Sequence, residues 1–313
     1  MATSDWFDDL PVLGNMDPER AAAKLQEIGE DEAAAQVMQI AEETQAEEMV
    51  TAQDAKVPSW WPFKDRPWQH TAHTFGHLAP GAPGSEVLVI NHAGNIPADE
   101  SLKNSRIKIT LDRLRVADYP GSGTHRVLFD FYAQNQVPDQ VEHLHLNATY
   151  RVREGEQAAI LGYPLFVGLN VGTEGVAFKC FTVNVANDAD EAFLTFLESD
   201  TFKAGLQLAT TMQPAIGLFS ETALALTKAI AGHNRNVPVQ DFYMGLDFSN
   251  IPTRARLAEG SYLAVQIPEG LLSIWDWSEW VYNPNSGQVV NAADPAQLIP
   301  YNYLVFSISR FGG

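Results

Sequence analysis

Between residues 85 and 313 the chain repeats one pattern that restricts its fold more than any other feature: short runs in which apolar and polar residues alternate, separated by turn-forming residues. A period of two sends successive side chains to opposite faces of a strand. A long series of such runs describes stacked antiparallel sheets and not the alternating βαβ units of a parallel fold. Ile107, Ile109 and Leu111 face one way while Lys108 and Thr110 face the other, and Leu304, Phe306 and Ile308 alternate with Tyr303, Val305 and Ser307. Further strands are predicted over 87–91, 126–133, 143–152, 165–171, 176–185, 239–248, 262–267 and 274–282, about ten in all. Turns rich in Gly, Pro and Asn fall at 120–123, 172–175 and 283–287. The predicted fold class is mainly β: an antiparallel β-sandwich, residues 85–313, with a helical insertion at 188–232.

That insertion begins where Asp188 precedes Glu191 by three residues, a capping-box spacing, just before Phe193, Leu194, Phe196 and Leu197. Residues 201–212 continue or restart the helix, Pro214 and Gly217 break it, and another helix is predicted from Ser220 to Gly232. The block is apolar enough to flank the sandwich. A helix that leaves the body for a lipid interface would carry more basic residues than Lys203 and Lys228.

The N-terminal 56 residues hold 14 of the 39 acidic residues and 3 of the 20 basic ones in a chain whose net charge is −19. They read as an acidic arm of two helices: Asp17 caps the first, Pro18 opens it, Ala21, Leu25 and Ile28 recur at helical spacing, and Gly29 ends it. The second runs from Asp31 to Met49 with a thin stripe that includes Val37 and Ile40. So narrow a stripe cannot hold two helices together, so the arm docks either on its own body or on another molecule. In the second case Leu25, Ile28, Val37 and Ile40 are the partner-binding residues. Residues 57–84 follow as a Trp/Pro-rich connector, with Trp60, Trp61 and Trp68 packing along the body and 79–85 as a looser joint.

Composition removes several function classes. An acidic surface repels phosphate backbones, which argues against nucleic-acid binding. The single cysteine, Cys180, forms no intramolecular disulfide, and Asp5, Asp8 and Asp9 stand where a leader would need basic and then apolar residues; both predict a cytoplasmic protein. No apolar run is long enough to span a membrane as a helix. There is no P-loop, no GxGxxG and no GxSxG elbow.

Two histidine groups raise metal chemistry. His70, His73 and His77 are spaced by three and four, which in a helix places three imidazoles on one face. His143 and His145 lie two apart on a predicted strand and share a face with Asn147, opposite Leu144, Leu146 and Ala148. A divalent metal is the cofactor that either group implies, though a solvated polar face also accounts for the strand pair. The acidic residues Asp118, Asp130, Asp188, Asp190 and Glu191 suggest a third site, oxygen ligands for Ca²⁺ at one end of the sandwich, and in outline that arrangement is similar to C2-type lipid-binding domains. Finally, Trp275, Trp277 and Trp280 form a cluster in which Trp275 and Trp277 share a strand face, as a core layer, a protein-binding surface or a sugar-stacking row. The function these features predict is a non-catalytic binding or assembly module whose acidic arm docks on a protein partner or a second copy. A metal-dependent enzyme and a membrane-associating C2-like protein are the alternatives.

Overall fold

The computed structural model describes residues 6–48, 66–81, 87–137, 140–197, 206–207, 214–249, 251 and 254–312. The protein is mainly β, with four α-helices among the described residues, and none of its sheets closes into a barrel. A seven-stranded sheet runs in the order β3 (Asn91–His92), β1 (Ala72–Leu78), β12 (Gly260–Ile267), β15 (Tyr303–Arg310), β4 (Arg106–Arg115), β7 (Gln157–Asn170) and β9 (Leu206–Gln207). A five-stranded sheet runs β11 (Ala255–Arg256), β10 (Val237–Asp247), β8 (Gly175–Asn184), β5 (Thr124–Val137) and β6 (Gln140–Arg153). A small third sheet joins β14 (Gln288–Asn291), β13 (Trp280–Asn283) and β2 (Leu88–Val89). Pairing is antiparallel except where β9 joins β7 and β11 joins β10.

The principal hydrophobic cluster draws on both large sheets, with Ile107, Ile109, Phe166, Tyr262 and Phe306 from one and Val127, Phe129, Phe131, Phe178 and Phe242 from the other. Phe178 and Phe306 meet with ring centroids 4.6 Å apart. Each such side chain is worth roughly 1.5–3 kcal/mol when fully buried. Every inward residue on β5 is odd-numbered, as the period of two requires, which turns the even-numbered ones to the sheet's outer face.

Two helices form in the N-terminal segment. Asp17 accepts the Arg20 N–H at 2.9 Å, α1 (Pro18–Glu27) follows, Gly29 takes φ +81°, and α2 (Asp31–Glu48) begins. Of the two docking modes, the structure shows the intramolecular one. Leu25 and Ala34 are fully buried in the principal cluster, and Ile28 and Val37 pack against it. Polar contacts hold the arm to two body loops: Glu30 accepts the Gly121 N–H, Glu27 the Arg235 N–H, and Lys24 donates to the His233 carbonyl.

The structure changes the predicted boundaries in three places. Residues 72–78, read as connector, are strand β1, paired along its length with β12; residues 57–65 of the connector, with Trp60 and Trp61, lie outside the described residues. Strand 274–282 shrinks to β13, because Asp276 caps a 3-10 turn over Trp277–Glu279. In the insertion, Asn187 and not Asp188 caps the first turn, α3 covers Glu191–Leu197, and α4 runs Pro214–Gly232, straight through Gly217. Pro214 starts α4 instead of breaking a helix, since the first helical position needs no N–H. Of 201–212, residues 206–207 form β9 and the rest lie outside the described residues.

Candidate functional site

The outer face of the five-stranded sheet is where chemistry-bearing side chains gather. Strand register places Asn147, Asp130, Phe181 and Asp241 in one row across β6, β5, β8 and β10, and His145, Tyr132, Lys179 and Tyr243 in the next. Beyond them His143 stands opposite Gln134, and Ala177 opposite Gly245.

One end of this face is sealed. The N-terminal segment, α3 and α4 bring Trp6, Phe7, Leu194, Leu197 and Ile230 over Leu128, Phe181 and Val183 in a second hydrophobic cluster. Beneath them Asp130 and Asn147 are fully buried and His145 is 3% exposed. The Asp130 carboxylate meets His145 Nδ1 at 2.6 Å and accepts from Asn147 Nδ2 (3.2 Å) and the Thr227 hydroxyl (3.1 Å) of α4. Burial pushes the Asp130 carboxyl upward, against the downward pull of His145 and the hydroxyl and amide donors. An Asp–His pair is half of a hydrolytic triad, but His145 Nε2 has no hydrogen-bond partner among the described residues, and the Ser220 hydroxyl is taken by the His145 main-chain N–H at 3.1 Å. Among the described residues the pair therefore has neither a nucleophile on its free nitrogen nor a route from solvent.

At the edge of the seal, Lys179 is enclosed by aromatic rings, its ammonium 4.7 Å from the centroid of Trp6, 5.3 Å from Tyr132 and 5.5 Å from Tyr243. Trp6 donates its indole N–H to Asp241 at 3.1 Å, and burial raises that carboxyl to about 6 despite Trp6 and Lys179, with Asp8 adding to the rise. Phe7 stacks on Phe181 at 4.1 Å.

The other end is open. The β5–β8 ladder stops at the pair Ala133–Phe178, while β8 and β10 stay paired down to Gly175 and Asp247. The separation leaves a groove of about 680 Å³, within the size range of small-molecule sites. Gly175, at φ +114°, lies so close to β10 that a Cβ would fall 2.0 Å from the Leu246 carbonyl oxygen. Tyr243 leans across Gly245, its hydroxyl 3.2 Å from where a Cβ would stand, and the residue is 58% exposed. Gln134 and Gln136 come from β5, Thr173 and Glu174 from the turn before β8, and Arg254 pairs with Asp247 at 3.1 Å.

The residues singled out in the sequence fall elsewhere. His70, His73 and His77 do not share a helical face, because β1 is extended. His70 lies 3.4 Å from Glu269; His73 sits against Phe242 with its nitrogens on the Thr71 carbonyl and the Gln240 amide oxygen; His77 Nε2 bonds the Glu259 carbonyl. Burial lowers His73 to about 4. His143 and His145 are split by the edge of the seal: His143 is exposed and 2.6 Å from the Tyr132 hydroxyl, whereas the face carrying His145 and Asn147 is covered by α4 instead of solvated. Among the described residues no three His, Cys, Asp or Glu side chains group to hold an ion. The acidic residues proposed for Ca²⁺ are dispersed. Asp190 is buried on His233 and Asn236, Asp188 and Glu191 bind Arg126, and the Asp118 main chain is held by Asn302. Trp275 and Trp277 pack with Trp280 in a third cluster, Trp277 being 5% exposed. Of the arm's partner candidates, Leu25 is spent in the core, Ile28 and Val37 are half-buried against it, and Ile40 is half-buried on α2.

Sequence reasoning overlooked the groove. Its signal was present: Phe242, Met244 and Leu246 alternate with Tyr243, Gly245 and Asp247, so one strand points a large ring, a gap and a carboxylate outward. No family model, no curated protein and no solved structure matches the chain.

Proposed function

We propose that this protein is a non-catalytic binding module, built as a two-sheet sandwich, whose ligand enters the groove at the open end of the five-stranded sheet. The observation that carries the reading is the state of the groove's polar groups. The half-buried Gln134 and Gln136 amides make no hydrogen bond among the described residues, and Tyr243 is exposed, whereas the Asp130–His145 pair is sealed. Unpaired donors and acceptors beside an exposed aromatic ring suit recognition. A thermal-shift screen of chemically diverse small molecules against the full chain and Tyr243→Ala tests this. Compounds that stabilise the full chain and fail to stabilise the variant support it; stabilisation indifferent to the substitution, or turnover of a compound, rejects it.

A second reading, association with a basic protein or with another copy, rests on the arm. With its apolar stripe turned inward, Asp17, Glu19, Asp31, Glu32 and Glu42 face solvent. Light scattering on Asp31→Lys, Glu32→Lys beside the parent chain checks it: an assembly that persists unchanged in the variant removes the acidic face from consideration. Deleting residues 1–56 is the poorer test, because it strips Leu25 and Ala34 from the principal core.

A further inference from the structure

We infer that the groove takes a neutral polyhydroxylated ligand, a short run of sugar rings, with Tyr243 as the stacking platform and Gln134 and Gln136 as the hydroxyl-reading groups. This rests on the groove being the binding site, and it follows from three features of the lining.

Charge comes first. The groove is lined by two cations, Lys103 and Arg254, and two carboxylates, Glu174 and Asp247. Both cations are already engaged, Arg254 by Asp247 at 3.1 Å and Lys103 by Glu100 and by the face of Phe248, 5.0 Å from its centroid. A phosphate or polyanion would have to break these pairs and then sit beside Glu174, and a polycation would be repelled by half of the charged lining residues. The balance favours a ligand without charge.

The free polar groups come next. A glutamine amide offers two donors and one acceptor, and a sugar hydroxyl is at once donor and acceptor, so two neighbouring hydroxyls satisfy one amide from both sides. Gln134 and Gln136 are two apart on β5, so both project from the same face at one strand repeat, roughly 6–7 Å, a spacing over which successive hydroxyls of one or two rings can be read. Carbonyl-only or purely apolar ligands would leave the amide N–H groups buried and unsatisfied, at about 1–3 kcal/mol each.

Shape is the third. Beside Tyr243 the lining is Gly175, Ala177 and Gly245, so the ring stands clear on that side, while Phe75, Val176, Met244, Leu246 and Phe248 supply apolar surface elsewhere in the groove. The groove is only partly enclosed, which leaves room for a chain. The ring of Tyr243, displaced over Gly245 and largely exposed, offers a flat surface to the C–H face of a pyranose, the geometry in which an aromatic ring contributes without desolvating its own hydroxyl.

The experiment is isothermal titration of the full chain with four neutral hexasaccharides, built on glucose, mannose, xylose and galactose, beside Tyr243→Ala and the double variant Gln134→Ala, Gln136→Ala. Circular dichroism melts accompany each variant; all three substitutions are on the sheet's outer face and are expected to leave the melt unchanged. The expected result is measurable binding of at least one hexasaccharide, weakened at least about tenfold in either variant and insensitive to added salt. If no hexasaccharide binds, while a compound from the thermal-shift screen stabilises the parent and not Tyr243→Ala, the saccharide inference is overturned and the groove reading stands. If a hexasaccharide binds equally well to parent and variants, the site lies elsewhere and both fail.

Discussion

The two ends of one sheet face, formed by the same four strands, have opposite fates. At the sealed end Asp130, His145 and Asn147 are locked under α4 and the N-terminal segment; at the far side of the His145 row, on β10, Tyr243 meets solvent, and Gln134 and Gln136 follow in the next rows along β5. The strands alone do not distinguish the ends, since each presents alternating polar and aromatic groups outward. The cover does. Where apolar helices lie across a polar face, its groups must satisfy one another and become structural; where none of the described residues covers it, the same kinds of group stay in contact with solvent.

The comparison breaks first if the sealed cluster proves dispensable. Asp130→Ala removes the acceptor for His145, Asn147 and Thr227 at once and should cost about 3–5 kcal/mol in urea unfolding. A loss near that of a surface substitution would mean the seal opens readily and that the pair is reachable after all.

Next in size is the pH dependence of the seal's edge. Burial raises Asp241 from 3.8 to about 6, so its contribution to folding is greatest below the free carboxyl value and is lost as pH rises through about 6, although the Trp6 hydrogen bond favours the carboxylate. The shift corresponds to roughly 3 kcal/mol across that window. Urea midpoints of the parent should therefore gain on acidification through this window relative to those of Asp241→Asn. A parent that loses stability relative to the variant on acidification would reverse the assignment.

His73 lies in the other large sheet and carries the opposite sign. Its protonation is suppressed to about 4, so its contribution is complete above about 6.5 and is lost as pH falls toward 4, by about 1–3 kcal/mol. Urea midpoints for His73→Gln should therefore decline less between these pH values than those of the parent; parallel declines would place the acid sensitivity elsewhere. The smallest effect belongs to the open end. Gly245→Ala forces the flexible Tyr243 hydroxyl to shift by tenths of an ångström, costs less than about 1 kcal/mol, and should still weaken whatever binds in the groove.

Much of the architecture was legible because side-chain alternation is local. The strands around Ile107–Leu111, Arg126–Ala133 and Tyr303–Ile308 sit where the period of two places them, and Asp17, Pro18 and Gly29 punctuate the arm as capping chemistry requires. Strand β1 was misread for a physical reason: Ala-His-Thr-Phe-Gly-His-Leu is a strand whose histidines are packed by partners more than 160 residues away, so their spacing imitates a helical one. The fate of His145 was equally non-local, because Thr227 and Ser220, which close over it, come from a helix more than 70 positions later. The groove was recoverable in part. Its outward Tyr243 and Gly245 could be read from alternation, but the parting of β5 from β8 could not.

The sequence by itself determined the secondary structure of most of the body, the arm's two helices and their caps, and the concentration of negative charge at the N-terminus, because propensity, capping and charge act over a few residues. Tertiary structure alone decided that the arm lies on its own body, that the histidines are scattered into separate hydrogen bonds, and that one end of a polar sheet face is sealed while the other stays open. Those outcomes depend on which distant surface arrives to exclude water, and burial of that kind is settled by the packing of the whole chain.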